Sequence, residues 1–139
     1  MILQGACHCG AIRVRFESPQ AADAIQVRAC QCGFCRRHGA KTVSDPGGRL
    51  AFQAAPGVAR RYRFATATAD FLICEGCGGY VGVVQEIDGA LYGVLNVVGT
   101  DIAALAGRPG EPMDYSAESV DARAARRRLN WSPASVTEA

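Results

Sequence analysis

The sequence predicts a mainly β fold, and three observations support this prediction. Apolar and charged residues alternate from Ile12 to Glu17, the period-two pattern of a strand with one buried face. Two longer apolar runs, 80–87 and 90–98, flank the dipeptide Asp88-Gly89, and this arrangement is typical of a β-hairpin. The chain also contains 16 glycines, which favour tight turns between short segments. We therefore expect short strands joined by glycine-rich turns, with few helices.

The other predicted strands are short and are delimited by turn signals. Residues 45–48 (Asp-Pro-Gly-Gly) form a clear turn, and Pro56-Gly57 marks another. A small, Thr-rich stretch at 65–69 is expected to be a hairpin connection. In chain order, these additional strands span residues 24–29, 41–44, 49–52, 59–64 and 70–73.

Helical segments are expected to be few. Residues 36–40 predict a turn or short helix that Gly39 closes. A second short helix is expected over 101–106, with Thr100 as its N-cap and Gly107 as its end. Residues 119–129 are compatible with a helix and strongly basic.

Two further expectations concern the C-terminal part. The prolines in 108–112 predict a loop. Residues 130–133 are expected to close the ordered part, with Trp131 anchoring this segment against the core, and 137–139 are expected to be frayed.

Size and charge exclude several classes of function. A length of 139 residues predicts a single domain, 1–139, with a basic C-terminal extension over about 113–139. The formal net charge of +2 argues against a nucleic-acid partner, and the run Arg126-Arg127-Arg128 is interpreted as a solvated helix face. No apolar stretch approaches the ~18 residues of a membrane span. The N-terminus lacks the features of a signal peptide, so a cytoplasmic protein is expected.

Seven cysteines carry most of the chemical information in the chain. They fall into three tight clusters, and an odd number fits a disulfide framework poorly. Thiolates at positions i, i+2 and i+5 can surround one metal ion when a glycine lets the backbone turn between them. Cys30, Cys32 and Cys35 have this spacing, with Gly33 between them. Three protein ligands and one open position are typical of a reactive zinc site.

The remaining cysteines suit a closed site. Cys74-x-x-Cys77-Gly78-Gly79 has the form of a zinc knuckle, which needs two more ligands to complete a tetrahedron. Cys7 and Cys9 can supply them, and this partition uses every cysteine. Spacing alone also allows Cys30 and Cys32 to complete the site with the knuckle, and it allows Cys74-x-x-Cys77 to be a redox pair.

Together, the three motifs resemble the glutathione-dependent formaldehyde-activating enzyme family. The resemblance covers about residues 3–100. It is carried by Gly5-x-Cys7-x-Cys9-Gly10, Cys30-x-Cys32-x-x-Cys35-Arg36 and Cys74-x-x-Cys77-Gly78, in that order. It implies an Mss4-like fold of small antiparallel sheets, with zinc-binding cysteine knuckles and short helices.

The resemblance also implies metal sites and an activity. It implies a structural zinc at Cys7, Cys9, Cys74 and Cys77, and a second, labile zinc at Cys30, Cys32 and Cys35, which would be the catalytic residues. The activity it implies is that of S-(hydroxymethyl)glutathione synthase, a carbon–sulfur lyase that joins glutathione and formaldehyde. The expected partners are therefore a small-molecule thiol and an aldehyde.

Four neighbouring residues bear on whether the middle site works in this way. Arg36 and Arg37 flank it and are predicted to bind the carboxylates of glutathione, because a guanidinium matches a carboxylate in a two-pronged contact. Gln31 and Gly33 stand where the family often has His and Ser or Thr, and this change alters hydrogen bonding near the sulfurs.

The two histidines and two other functions remain as alternatives. His38, three residues after Cys35, could close the middle site as a fourth ligand, whereas His8 lies between two ligands and should point away. The alternative functions are a non-catalytic zinc-stabilised module that binds a protein partner, and a thiol or metal sensor.

Overall fold

The computed structural model describes all residues, 1–139, as 11 strands, three α-helices and one 3-10 turn. The strands are β1 (Ile2–Ala6), β2 (Ile12–Glu17), β3 (Arg28–Cys30), β4 (Thr42–Val43), β5 (Arg49–Ala54), β6 (Ala59–Tyr62), β7 (Asp70–Cys74), β8 (Tyr80–Ile87), β9 (Ala90–Asn96), β10 (Glu111–Met113) and β11 (Ser132–Glu138). The helices are α1 (Gly33–Arg37), α2 (Ala103–Ala106) and α3 (Val120–Asn130), and the 3-10 turn is Ala22–Ala24. No helix in the structure combines the length and the apolar character needed to cross a membrane.

Strands β1, β2, β5 and β11 form one half of the sheet system. β1 and β5 flank β2 in antiparallel pairing, and β11 runs parallel to β5 on its other side. Ile12, Val14 and Phe16 are buried, while Arg13 and Arg15 are exposed. The alternation in the sequence therefore correctly predicted a strand with one face on the core.

The other half is organised around the β8–β9 hairpin. Asp88 and Gly89 both have positive φ values, 52° and 80°, as a type I′ hairpin turn requires. β7 pairs with β8 and β6 with β7, so 59–96 form an antiparallel meander. The opposite edge of β9 pairs with β11 and with β4, and β4 leads through β3 to β10.

Buried apolar residues form two clusters, and the cysteines are divided between them. The larger has 18 residues and includes Cys7 and Cys74. The smaller has seven and includes Cys35, Tyr80 and Trp131. The anchoring role predicted for Trp131 fits its 6% exposure.

The C-terminal part differs most from what the sequence predicts. Residues 137–139 were expected to be frayed, but Thr137 and Glu138 pair with β5, because β11 lies between β5 and β9. The predicted loop over 108–112 contains the start of β10, which pairs with β3. The last part of the segment after 113 thus belongs to the sheet system as β11, and its basic part forms α3.

The start of α2 was also predicted wrongly. The Thr100 hydroxyl donates to the Asn96 carbonyl instead of capping a helix, and Asp101 has a φ of 54°, outside the helical region. The helix begins only at Ala103, although it ends before Gly107 as predicted.

Candidate metal centres and the cleft beside them

The sulfurs of the first and the third cysteine clusters of the sequence lie together in the structure. The sulfurs of Cys7, Cys9, Cys74 and Cys77 all lie within 4.8 Å of one another. Cys9 Sγ lies 3.8 Å from Cys7 Sγ and 3.6 Å from Cys74 Sγ. Tetrahedral Zn–S bonds of about 2.3 Å would place neighbouring sulfurs about 3.8 Å apart, so this four-cysteine group fits one zinc ion.

The backbone around the four-cysteine group is shaped by glycines. Gly10 and Gly78 have φ values of 82° and 75°, which lets the chain turn directly after each pair of cysteines. A Cβ at Gly79 would lie 3.3 Å from both Cys7 Cβ and Cys77 Sγ. Because the turn is this tight, backbone N–H groups approach the sulfurs, and the Ile12 N–H donates to Cys7 Sγ at 3.3 Å.

The surroundings of these sulfurs have opposite effects on their ionisation. Hydrogen bonding from the backbone N–H of Cys9 lowers the pKa of the Cys77 thiol to about 6. Burial raises the pKa of the Cys74 thiol to about 12. Four thiolates at this spacing repel one another, so a cation between them is what would hold them all ionised.

The second group comes from a single turn of chain. Cys30 ends β3, Cys32 caps α1 by accepting the Cys35 N–H at 3.4 Å, and Cys35 is buried inside α1. The three sulfurs lie within 4.8 Å of one another. The structure therefore groups the seven cysteines as four and three, which is the predicted partition that uses every cysteine. The alternative, in which Cys30 and Cys32 join Cys74 and Cys77, is not formed.

The three-cysteine group is also chemically suited to a cation. Hydrogen bonds from Cys30 and Cys35 lower the pKa of Cys32. The contact with Cys32, together with burial, raises the pKa of Cys30. Contacts with Cys30 and Cys32, followed by burial, raise the pKa of Cys35. The thiols therefore share their protons unevenly, and a bound zinc would replace those protons.

An aromatic cluster holds the three-cysteine group in place. The Phe34 ring centroid lies 5.0 Å from that of Tyr80 and 5.1 Å from that of Phe71. The Tyr80 hydroxyl lies 3.6 Å from Cys35 Sγ. Burial, followed by the nearby Cys35, raises the pKa of Tyr80, so its phenol keeps the proton that it can donate to the sulfur.

The other predicted site residues lie at the margin of this group. His38 is exposed, packs on Phe34 with ring centroids 4.5 Å apart, and is outside the sulfur cluster. His8 is exposed as well. Arg36 and Arg37 are exposed, and their side chains donate to the carbonyls of residues 31 and 33. Their role in binding glutathione remains a prediction.

A cleft of about 420 Å³ opens beside the three-cysteine group. Its lining comes from the three-cysteine loop, the connection between β6 and β7, and the segment 114–127, and comprises Cys30, Gln31, Cys32, Phe64, Ala65, Thr66, Ala69, Phe71, Asp114, Tyr115, Ser116, Glu118, Arg123, Arg126 and Arg127. A smaller recess of about 60 Å³ lies next to it, lined by Cys35, Tyr80 and Trp131 among others.

The segment 114–127 is the part of this site that sequence reasoning missed. Arg126 and Arg127 follow Arg123 by three and four residues, so both lie on the same side of a helix as Arg123. This helical spacing is the sequence signal for a shared basic face. The composition of the run Arg126-Arg127-Arg128 instead predicts a solvated face. Arg127 is in fact buried, and Arg128 is the member of the run that faces solvent.

Comparison with known proteins agrees with this geometry. The sequence profile of a family described as "Glutathione-dependent formaldehyde-activating enzyme" matches residues 2–103. A crystal structure of a Rhodobacter sphaeroides protein is similar to this chain, with a TM-score of 0.58 and 27% identity. The match covers 79% of this chain and 98% of that one. No curated protein matches the chain.

Proposed function

Because the chain belongs to the glutathione-dependent formaldehyde-activating enzyme family and has its Mss4-like fold, we propose that it catalyses addition of a thiol to an aldehyde. The reaction would take place at the three-cysteine group, with zinc bound there and a second zinc at the four-cysteine group. Glutathione and formaldehyde are the pair that the family description suggests. The observation that carries this proposal is that three sulfurs lie together without a fourth ligand, and that two of these cysteines, Cys30 and Cys32, line a 420 Å³ cleft.

The two groups would have different roles. The four-cysteine group joins β1 and β2 to the β7–β8 turn next to the larger core, a position that suits a structural metal. The three-cysteine group lies at a cavity, with one ligand position left for a substrate. Bound there, zinc would favour the ionised form of a substrate thiol and would polarise a carbonyl.

The protein itself would contribute position and exclusion of water. Cys30 and Cys32 line the cleft, so a thiol held at the group has its carbon chain in the cavity. Phe64 and Phe71 form an apolar wall, which limits water at the reacting carbon. In the addition, the sulfur forms a bond to the carbonyl carbon, and the carbonyl oxygen gains the proton lost by the thiol. The reaction balances without an oxidant or a reductant.

The proposal can be tested by a zinc count followed by a rate measurement. We expect two zinc ions per chain after purification in reductant. NMR exchange should then show faster interconversion of glutathione and S-hydroxymethylglutathione than the spontaneous reaction, in proportion to protein concentration. Two zinc ions without any acceleration would reject the formaldehyde reaction and favour the non-catalytic, partner-binding module. Absence of bound zinc would instead favour the thiol sensor.

A further inference from the structure

Positive charge is concentrated on one wall of the cleft. Arg123, Arg126 and Arg127 line it, and Arg28 lines the adjoining recess. Arg28 and Arg127 are only 9% and 8% exposed. The carboxylates that line the cleft are Asp114, which is exposed and accepts the Ser116 N–H, and Glu118. Four guanidinium groups therefore face two carboxylates, one of them turned toward solvent.

Glu118 satisfies only part of this charge. Its carboxylate accepts hydrogen bonds from Arg126 at 2.8, 3.0 and 3.1 Å, but it lies 3.7 Å from Arg123 Nε, beyond hydrogen-bond distance. Arg126 also stacks on Tyr115, with its guanidinium carbon 3.5 Å from the ring centroid. Arg126 is therefore paired with a carboxylate, whereas Arg123 donates from Nη2 to the Tyr115 carbonyl at 2.8 Å and retains a buried Nε without a hydrogen-bond partner.

Arg127 has no carboxylate partner. It donates to Gln85 at 2.8 Å and to Thr68 at 3.4 Å, and its guanidinium lies 4.7 Å from the Trp131 ring. Its Nε is buried and has no hydrogen-bond partner. Burial, followed by the nearby Arg126, lowers the pKa of Arg127 to about 10, so it stays charged at neutral pH. A buried cation and two unpartnered donors are costly unless an anion binds beside them.

We propose that Arg123 and Arg127 make the cleft selective for thiols that carry a carboxylate. This inference rests on the proposed function, because it assumes that the substrate sulfur binds at the three-cysteine group. In this inference, α3 recognises the carboxylate of the substrate. This helix lies outside the region that matches the family profile, residues 2–103. Arg36 and Arg37, whose side chains donate to the carbonyls of residues 31 and 33, are the rival candidates.

The inference can be tested with two thiols of the same size, one with a carboxylate and one with a neutral amide in its place. The probes are N-acetylcysteine, which is a carboxylate at neutral pH, and N-acetylcysteine amide, which is neutral and of the same size. Binding to the zinc-loaded protein is measured by calorimetry. We expect the wild type to bind the acid about tenfold more tightly than the amide, the size of one charge-assisted contact.

Two substitutions should move this preference in opposite directions. Arg123→Gln should reduce it to about threefold or less by weakening binding of the acid alone. Glu118→Gln removes the internal carboxylate that competes for Arg126 and Arg123, so it should tighten binding of the acid and leave the amide unchanged. Such a gain cannot result from unfolding. Arg128→Gln, on the same helix but exposed and paired with Asp88, is the matched control. Thermal unfolding and zinc content are recorded for each variant.

The outcomes separate this inference from the proposed function. If Arg123→Gln weakens both probes equally, the arginines merely balance the charge of the sulfurs, and the inference is wrong. It is also wrong if Arg36→Gln or Arg37→Gln abolishes the preference while Arg123→Gln preserves it. A carboxylate preference without any acceleration of aldehyde addition would leave the inference standing and overturn the proposed reaction instead.

Discussion

The four-cysteine group joins segments 65 residues apart, whereas the three-cysteine group comes from one short loop, 30–35. The first is surrounded by glycine turns, and a Cβ at Gly79 would lie only 3.3 Å from Cys7 Cβ and from Cys77 Sγ. The second lies at a 420 Å³ cleft. A metal that links distant segments contributes to folding, and a metal on a preformed loop beside a cavity is available to a ligand. In the proposed function the same side chain would therefore serve two purposes, and the surrounding chain would decide which.

The largest effect is expected for Cys77→Ser. Losing one ligand of the four-cysteine group removes a contribution on the order of 10 kcal/mol, comparable with the whole stability of a small domain. We expect the variant to lose cooperative thermal unfolding and both zinc ions, as measured by circular dichroism and metal analysis. A variant that stays folded with one zinc would show that the four-cysteine group is not required for the fold.

A smaller effect on the fold is expected for Cys32→Ser, the matched substitution in the three-cysteine group. Cys32 and Cys77 are both half-buried, so loss of burial is similar in the two variants. Cys32→Ser should retain the cooperative transition and one zinc, and lose the acceleration of thiol addition. Equal destabilisation by the two substitutions would contradict the division into a structural and a reactive site.

Features that depend on local sequence were predictable. The β2 alternation is imposed by one buried face, and the Asp88-Gly89 turn by positive φ values. The three-cysteine group could be identified from spacing because its members lie within six residues. The pairing of Cys7 and Cys9 with Cys74 and Cys77 joins distant parts of the chain, so it was predicted from the partition that uses every cysteine and from the family resemblance, and spacing alone left it open.

The C-terminal part could not be predicted in the same way. Ser132–Glu138 contains a proline and few large apolar residues, and it becomes a strand because β5 and β9 pair with it on both sides. Arg127 is buried where it contacts Gln85 and Thr68, which are 42 and 59 residues away in the sequence. Long-range pairing decides both features, and local composition alone indicated a frayed end and a solvated face.

The smallest effect is expected for Tyr80→Phe, which tests how separate the two groups are. Tyr80 follows Cys77 by three residues, yet its hydroxyl contacts Cys35 in the other group. Removing this hydroxyl deprives one sulfur of a hydrogen-bond donor, and loss of such a contact to a ligand lowers metal affinity by about tenfold. Titration with a chromophoric chelator should show weaker zinc binding at the three-cysteine group and unchanged binding at the four-cysteine group. Tyr92→Phe, half-buried on β9, is the control. If the zinc affinity of both groups fell together, the β7–β8 turn would couple the two groups, and they would not be independent sites.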